Sequence, residues 1–338
     1  MTGPGTPVPG SRRHALVAVS GGLDSAMALH LACRSYDRVR AVWVRTTTAN
    51  VPPEVRAVTG HLGVPLEVLD SSRDFERQVV AWSGEMLSRG LTPNPCARCN
   101  ALVKMPGPFG MLDDREDLLT GHYARMGNDG LHRGVDGEKD QSYFLSMVRR
   151  QVLDRCVFPL GGMSKTEVRR RAEKLGLPFR RMESMDLCFQ TAAKGAPGDV
   201  VDLRGNRLGT HSGVERFTIG QRKGLGALGR RMYVVALDPV RRTVTVGGRE
   251  DLMVRGCTLE LMNWLEGPFS GSFSVLAQTR YRRRPVPAVV ETFGAGDGGM
   301  LTIEFRGGEE AVAPGQVCAL YLASRVIGGG TIVSTRKE

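Results

Sequence analysis

At 338 residues, with 24% charged and 41% hydrophobic side chains, the chain is long enough for two or three domains and has the composition of a globular protein. No apolar run approaches the roughly 18 residues that cross a bilayer, and the opening MTGPGTPVPGSRRH lacks the apolar core of a secretion signal. A short leader over residues 1–13 and a cytoplasmic protein with no membrane partner are therefore expected. Lys and Arg outnumber Asp and Glu 46 to 35, a formal charge of +11 that favours a polyanionic partner, although a basic solvated face would give the same number.

From His14 to about Pro178, short apolar runs alternate with helical stretches, as a parallel sheet covered by helices on both faces requires. HALVAVS, VRAVWVRTT, LEVLD and DLLTGHYAR read as strands. DSAMALHLACRSY, PPEVRAVTGHLG and DFERQVVAWSGEMLSRG read as helices, the last stopped by its glycine. SKTEVRRRAEKLGLP has a complete helix punctuation: Ser164 as N-cap, Glu167 as its capping-box partner, then Gly176 and Pro178. After Gly198 the pattern changes to short alternating strands between glycine and proline turns: RFTIG, MYVVALDP, TVTVGG, FSVLAQTRYR, AVVETFG, MLTIEFRG and QVCALYLA. The expected organisation is an α/β domain over 14–199, a small β domain over 200–260 and a β-barrel over 261–338.

Seven cysteines in a chain without a secretion signal argue against a disulfide framework. Cys33, Cys156, Cys257 and Cys318 have apolar surroundings and read as small core residues. Cys96 and Cys99 lie in the turn-rich TPNPCARCN, and Cys-x-x-Cys spacing alone allows a zinc clip, a redox dithiol or a catalytic pair.

AVSGGLDS, Ala18 to Ser25, falls between a strand and a helix. Its two glycines let the backbone turn tightly and aim N–H groups at a ligand, while the helix N-terminus adds partial positive charge, so phosphate is the natural guest. An ordinary strand-to-helix turn with Asp24 as N-cap would share the local pattern. The loop resembles the pyrophosphate-binding Ser-Gly-Gly-x-Asp-Ser loop of enzymes that split ATP between its α and β phosphates.

Together with TPNPCARCNALVK, TGHYAR, KDQSYFL, FPLGGMSKTEVR, ESMDLCFQ, TIGQRKGLG and GGGTIV, in that order along the chain, this loop makes the sequence similar to the tRNA-specific 2-thiouridylase family. The resemblance implies a PP-loop ATP-pyrophosphatase domain followed by two small β-rich domains. It implies adenylation of the 2-oxygen of a tRNA wobble uridine by ATP with Mg2+, then replacement of that oxygen by sulfur from a donor or relay protein. It places ATP at Ala18, Val19, Ser20, Gly21, Gly22, Leu23, Asp24 and Ser25, with Val44 (where the family usually has methionine) and Gly121. It makes Cys99 the nucleophile and Cys188 the persulfide carrier, which form a transient disulfide during sulfur release. It assigns tRNA contacts to Asn94, Pro95 and Cys96 at the target base, and to His122, Lys139, Asp140, Gln141, Arg280, Tyr281 and Gln316. His122 also reads as a structural histidine, and RYRRRP as a solvated face. Cys96 stands where the family's familiar form has aspartate, so Cys96, Cys99 and Cys188 offer either a persulfide site with a spectator thiol or three ligands for a 4Fe-4S cluster. Two departures, a shortened segment after VWVRTTTAN and the sequence after Cys188, bear on loop closure and the sulfur donor. Two other classes share these features: an adenylating sulfurtransferase acting on another substrate, and a tRNA-binding homologue without chemistry.

Overall fold

The computed structural model describes residues 13–180, 195–225, 231–267, 269–293 and 300–337. Cys188 and the stretch around it, and the GALGR segment of GQRKGLGALGRR, lie outside these residues. The chain divides into two compact units, one comprising residues up to Val79, Cys96–Phe189 and Ser324–Ile327, the other Val80–Pro95, Gln190–Ala323 and Gly328–Glu338.

In the first unit, β1 (His14–Ala18), β2 (Arg38–Arg45), β3 (Leu66–Asp70), β4 (Glu116–Leu119) and β7 (Cys156–Val157) form a parallel sheet in the order β3-β2-β1-β4-β7. The strand order reverses beside β1, and in open α/β sheets the ligand crevice lies outside the strand C-termini at such a point. Ala15, Leu16 and Val17 of β1 are fully buried, as a central strand covered on both faces requires. Helices α1 (Leu23–Ser35) and α2 (Pro53–His61) supply Ala26, Ala28, Leu29, Val55 and Val58 to the same core. The remaining helical pieces are α3 (Ser72–Phe75), α5 (Pro95–Cys99), α6 (Pro106–Phe109), α7 (Ser142–Leu145), α8 (Arg150–Leu153) and α9 (Lys165–Lys174), while α4 (Trp82–Ser88) falls in the second unit. A hairpin, β5 (Ala124–Gly127) with β6 (Gly130–Arg133), completes this unit.

The second unit carries a four-stranded sheet, ordered β10-β11-β8-β9, from β8 (Gly198–Val201), β9 (Arg207–His211), β10 (Tyr233–Asp238) and β11 (Thr243–Gly247). Its core is Val200, Phe217, Met232, Val234, Val244 and Val246. Six longer strands follow: β12 (Met253–Trp264), β13 (Ser272–Gln278), β14 (Val286–Phe293), β15 (Met300–Glu310), β16 (Val317–Leu322) and β17 (Arg325–Arg336). Their order is β12-β15-β14-β13-β16-β17, and β12 pairs with β17 to close a barrel, which removes the exposed sheet edges. β12 opens at Met253, ahead of the expected start of the barrel at residue 261.

Several local readings are corrected. TPNPCARCN is not turn-rich beyond its prolines: Pro95 sits at the first position of α5, where its missing N–H costs nothing, and the cysteines ride on helix. The helix read over 74–90 contains a π-helical stretch, Glu76–Ala81, between α3 and α4. RFTIG is not a strand; Val214–Arg216 form a 3-10 turn, and Phe217 is held in the core by burial rather than by a ladder. Cys33 is exposed, because α1 turns Leu29 and Ala32 inward and position 33 away. Cys156, Cys257 and Cys318 are buried as expected. Burial pushes the Cys257 thiol up to about 12 and raises those of Cys156 and Cys318 well above the usual thiol range, so these are inert, protonated core groups.

Candidate active site

The cavity at the end of β1 holds about 250 Å³ and lies wholly within the first unit. Ala18, Val19, Ser20, Asp24, Ser25, Val44, Thr120, Gly121 and His122 line one part of it, and Cys96, Cys99, Asn100 and Lys104 another. With Gln141 and Phe144, the structure thus brings together residues from five separated sequence segments. Among the expected ATP contacts, Ala18, Val19, Ser20, Asp24, Ser25, Val44 and Gly121 converge here, whereas Leu23 packs into a core with Met27 and Leu160.

The loop's shape follows from its residues. Gly21 has φ of +77°, a left-handed conformation costly for any side chain, and it lets the chain leave β1 and enter α1 within four residues. Ser25 Oγ accepts from the Ser20 amide at 3.1 Å and donates to the Gly22 carbonyl at 3.0 Å, and it lies 3.2 Å from Ser20 Oγ. The turn is therefore fixed before any ligand arrives. Gly22 caps α1 without a side-chain bond, so no side chain of the cap itself covers the helix N-terminus. Gly121 has to be glycine for a different reason: a Cβ there would sit 2.8 Å from the Asp24 carbonyl carbon and 2.9 Å from the Ser25 nitrogen.

Asp24 is not an N-cap. Its two carboxylate oxygens accept from Lys165 Nζ at 2.8 and 2.7 Å, and the Tyr123 hydroxyl donates to one of them at 2.8 Å. Lys165 also stands 5.9 Å from the Tyr123 ring centroid. Lys165 begins α9, whose N-cap Ser164 accepts from the Glu167 amide as expected, while the Glu167 carboxylate pairs with Arg171. Motif reading did not single out Lys165 or Tyr123. Their signal was present in FPLGGMSKTEVR and TGHYAR, but nothing local in the sequence says that either reaches Asp24, 141 and 99 residues away respectively.

In the other part of the lining, Cys96 and Cys99 lie three apart on α5, hence on one helical face. Arg98, on another face, anchors the helix by donating to the Gln78 carbonyl at 2.5 Å. Cys99 is buried and Cys96 partly exposed. The backbone then shifts to a π-helix over Asn100–Lys104. In an α-helix, Lys104 would point about 140° around the axis from Cys99, whereas i→i+5 bonding brings positions five apart onto nearly the same side. Lys104 accordingly lines the cavity beside the cysteines. His122 is pushed down to about 4 by burial and by the Lys104 charge, and its Nδ1 lies 2.8 Å from Thr120 Oγ1. It is a neutral imidazole at physiological pH.

The expected tRNA contacts fall into different settings. Gln141 lines the cavity, and its Oε1 accepts from the Tyr123 amide at 3.1 Å. Asp140 is buried and turned inward, accepting from Arg133 Nε at 2.8 Å and from the amides of Gly134 and Ser142. Lys139 is half-buried on the preceding turn. In the second unit, Gln316 donates to the carbonyls of Thr92 and Pro93 at 3.3 and 3.2 Å, and Asn94 Nδ2 donates to Gln316 Oε1 at 3.3 Å. Two residues 222 apart are thereby joined, with Pro95 next in the chain. Arg280 and Tyr281 occupy the turn after β13, whose Gln278 fastens it by donating to the Arg280 carbonyl at 3.1 Å. Arg282 lies over the Tyr281 ring at 5.5 Å, whereas Arg283 is spent on buried Glu309 at 2.8 Å and on Glu310. RYRRRP is thus partly a barrel clamp.

Comparison with known proteins accords with this arrangement. A tRNA methyl transferase HUP domain matches residues 13–192, a tRNA methyl transferase PRC-barrel domain 188–248, and an aminomethyltransferase beta-barrel domain 254–332. The tRNA-specific 2-thiouridylase MnmA of Kineococcus radiotolerans is 39% identical, covering 95% of this chain and 98% of that one. The proteins of that name from Syntrophotalea carbinolica and Chloroflexus aurantiacus are each 37% identical, over 95% and 94% of this chain and 98% and 97% of theirs. The chain belongs to the tRNA-specific 2-thiouridylase family. Its phosphate-loop and cysteine walls lie in the HUP-domain match, and the two β structures in the other two. Among the described residues, no helix is long and apolar enough to cross a membrane.

Proposed function

We propose that this chain is a tRNA 2-thiouridylase: it adenylates the 2-oxygen of a wobble uridine and then replaces that oxygen with sulfur. The observation that carries the reading is one cavity with a preformed phosphate loop on one wall and Cys96 and Cys99 on the other. A carbonyl oxygen is a poor leaving group; joined to AMP, it leaves as a phosphate ester while pyrophosphate is released. Backbone amides of the Ser20–Gly22 turn and the N-terminus of α1 would hold the released pyrophosphate. Lys165, kept in place by Asp24 and Tyr123, adds a cation at the same end, and Lys104 supplies one on the cysteine side. Cys99 then acts as the nucleophile that frees sulfur carried on Cys188, and the target base reaches the cavity only by leaving the anticodon stack, at a cost of a few kcal/mol.

The family implies two further groups, magnesium and a 4Fe-4S cluster. Both Asp24 oxygens are committed to Lys165 and one also to Tyr123, so the carboxylate as arranged does not fit direct metal ligation. Magnesium would enter with the ATP phosphates. For an iron–sulfur cluster, Cys96 and Cys99 share a face, but the described residues contain no group of three His, Cys, Asp or Glu able to hold a metal. The β domains would supply backbone contacts to tRNA through Arg280 and Tyr281, and the sulfur donor would be a separate small molecule or relay protein working in the cytoplasm.

The test is pyrophosphate release from ATP by the purified protein with a tRNA transcript carrying uridine at the wobble position. Release should require that tRNA and disappear in Asp24→Ala. Release of equal size without tRNA would point to another adenylated substrate, and no release by the wild type would point to a binding protein.

A further inference from the structure

The Ser20–Gly22 turn is braced from behind by a residue 160 positions from Ser20. The Arg180 amide donates to the Gly21 carbonyl at 2.8 Å, and Arg180 pairs with Gly22 in an isolated parallel bridge. The side chain adds a second bond, Nη2 of Arg180 donating to the Ser20 carbonyl at 3.3 Å. Arg180 is half-buried and is not among the described residues that line the cavity. In a planar trans peptide the carbonyl and the N–H point in opposite directions, and no peptide bond among the described residues is cis. The Ser20 carbonyl shares its plane with the Gly21 amide, and the Gly21 carbonyl shares its plane with the Gly22 amide. Holding both oxygens on the Arg180 side therefore turns these two amides to the opposite side of the turn. Ser25 Oγ, donating to the Gly22 carbonyl at 3.0 Å, sets the next plane from within the loop. Two successive glycines would otherwise leave the amides many orientations, and ordering them would cost binding free energy when an anion arrives.

Resting on the 2-thiouridylase reading, in which these amides hold pyrophosphate, we propose that Arg180 is a positioning residue for the phosphate loop: its guanidinium holds the Ser20–Gly21 peptide plane so that the loop amides meet the pyrophosphate, without touching the anion itself. The backbone bond to Gly21 is open to every residue at position 180 except proline. What the arginine side chain adds is control of the plane before it, which a backbone bond from position 180 does not reach. The effect is confined to the half of ATP that leaves as pyrophosphate. The AMP half and the tRNA do not depend on that plane.

The experiment titrates the full-length protein with magnesium pyrophosphate and, separately, with AMP in a calorimeter, for the wild type, Arg180→Met and Arg180→Lys. Arg180→Met keeps the length of the side chain and removes its donors; it should weaken pyrophosphate binding by about three- to tenfold and leave AMP binding within about twofold. Arg180→Lys, which returns one donor near the Ser20 carbonyl, should recover most of the loss. Equal pyrophosphate affinity in the wild type and Arg180→Met would overturn the proposal. So would an equal loss for AMP and pyrophosphate together with a lowered Tm, which marks a general loosening of the unit. Repeating the pyrophosphate titration at several salt concentrations separates a brace from a direct ion pair: the salt dependence should be the same in the wild type and Arg180→Met, and a weaker dependence in the variant would show Arg180 on the anion and refute the positioning role. Wild-type protein that binds pyrophosphate in the calorimeter but releases none from ATP with the wobble-uridine tRNA would defeat the 2-thiouridylase reading, and with it the task assigned to Arg180.

Discussion

The two walls of the cavity are built on different physical terms. The phosphate-loop wall is closed on itself: serine hydroxyls bond the turn, and Asp24 is neutralised by Lys165 and Tyr123. The cysteine wall is held from behind, by Arg98 on Gln78 and Asn100 on the Cys96 carbonyl, and presents to the cavity two thiols and an ammonium, with a neutral imidazole nearby. On the proposed function, one wall receives an anion that arrives the same way in every turnover, and the other keeps groups that change bonding during the reaction.

If that division is right, the walls separate under mutation. Cys99→Ala should lower thiolation by at least about a thousandfold while leaving tRNA-dependent pyrophosphate release near wild type, since adenylation precedes sulfur transfer. Equal loss of both activities would break the distinction. Lys165→Met should instead lower pyrophosphate release and thiolation together, by about ten- to a hundredfold, because a charge-assisted bond of about 1.5–3 kcal/mol is lost at the loop. Assaying both products in one reaction separates the cases.

Acid should disturb the region between the walls. His122 titrates near 4 in the folded chain and near 6.5 when unfolded. The unfolded state therefore binds the proton first. His122 costs nothing above pH 6.5, and stability falls as pH drops from there towards 4, by on the order of 2–3 kcal/mol. Urea midpoints for the wild type and His122→Gln across that range should converge above pH 7 and diverge in acid in favour of the variant; parallel curves would place the imidazole in water. Gly121→Ala should cost about 1–3 kcal/mol from overpacking against the backbone of Asp24 and Ser25, read as a lower Tm with weakened ATP binding. Ser164→Ala, which removes only the cap of α9, should cost about 1 kcal/mol of stability with a smaller effect on turnover.

What the sequence disclosed follows the same division. The phosphate loop was legible because its chemistry is local: glycines, a strand before and a helix after. The barrel strands β13 to β16 were legible from alternation. The hairpin of β5 and β6 was not, because its four-residue strands are too short to show a period. The helical setting of Cys96 and Cys99 was hidden by prolines, which open a helix as readily as a turn. The Asp24–Lys165–Tyr123 cluster and the joining of Asn94 to Gln316 depend on contacts between distant segments, which no local pattern encodes.

The most direct test of the account is nucleoside mass spectrometry of a wobble-uridine tRNA after incubation with the purified protein, ATP, magnesium, a persulfide donor that charges Cys188 and a thiol reductant that reopens the Cys99–Cys188 disulfide. The expected result is 2-thiouridine at the wobble position, formed in step with AMP and pyrophosphate. Pyrophosphate release with no 2-thiouridine, under conditions where an established 2-thiouridylase thiolates the same tRNA, would contradict it.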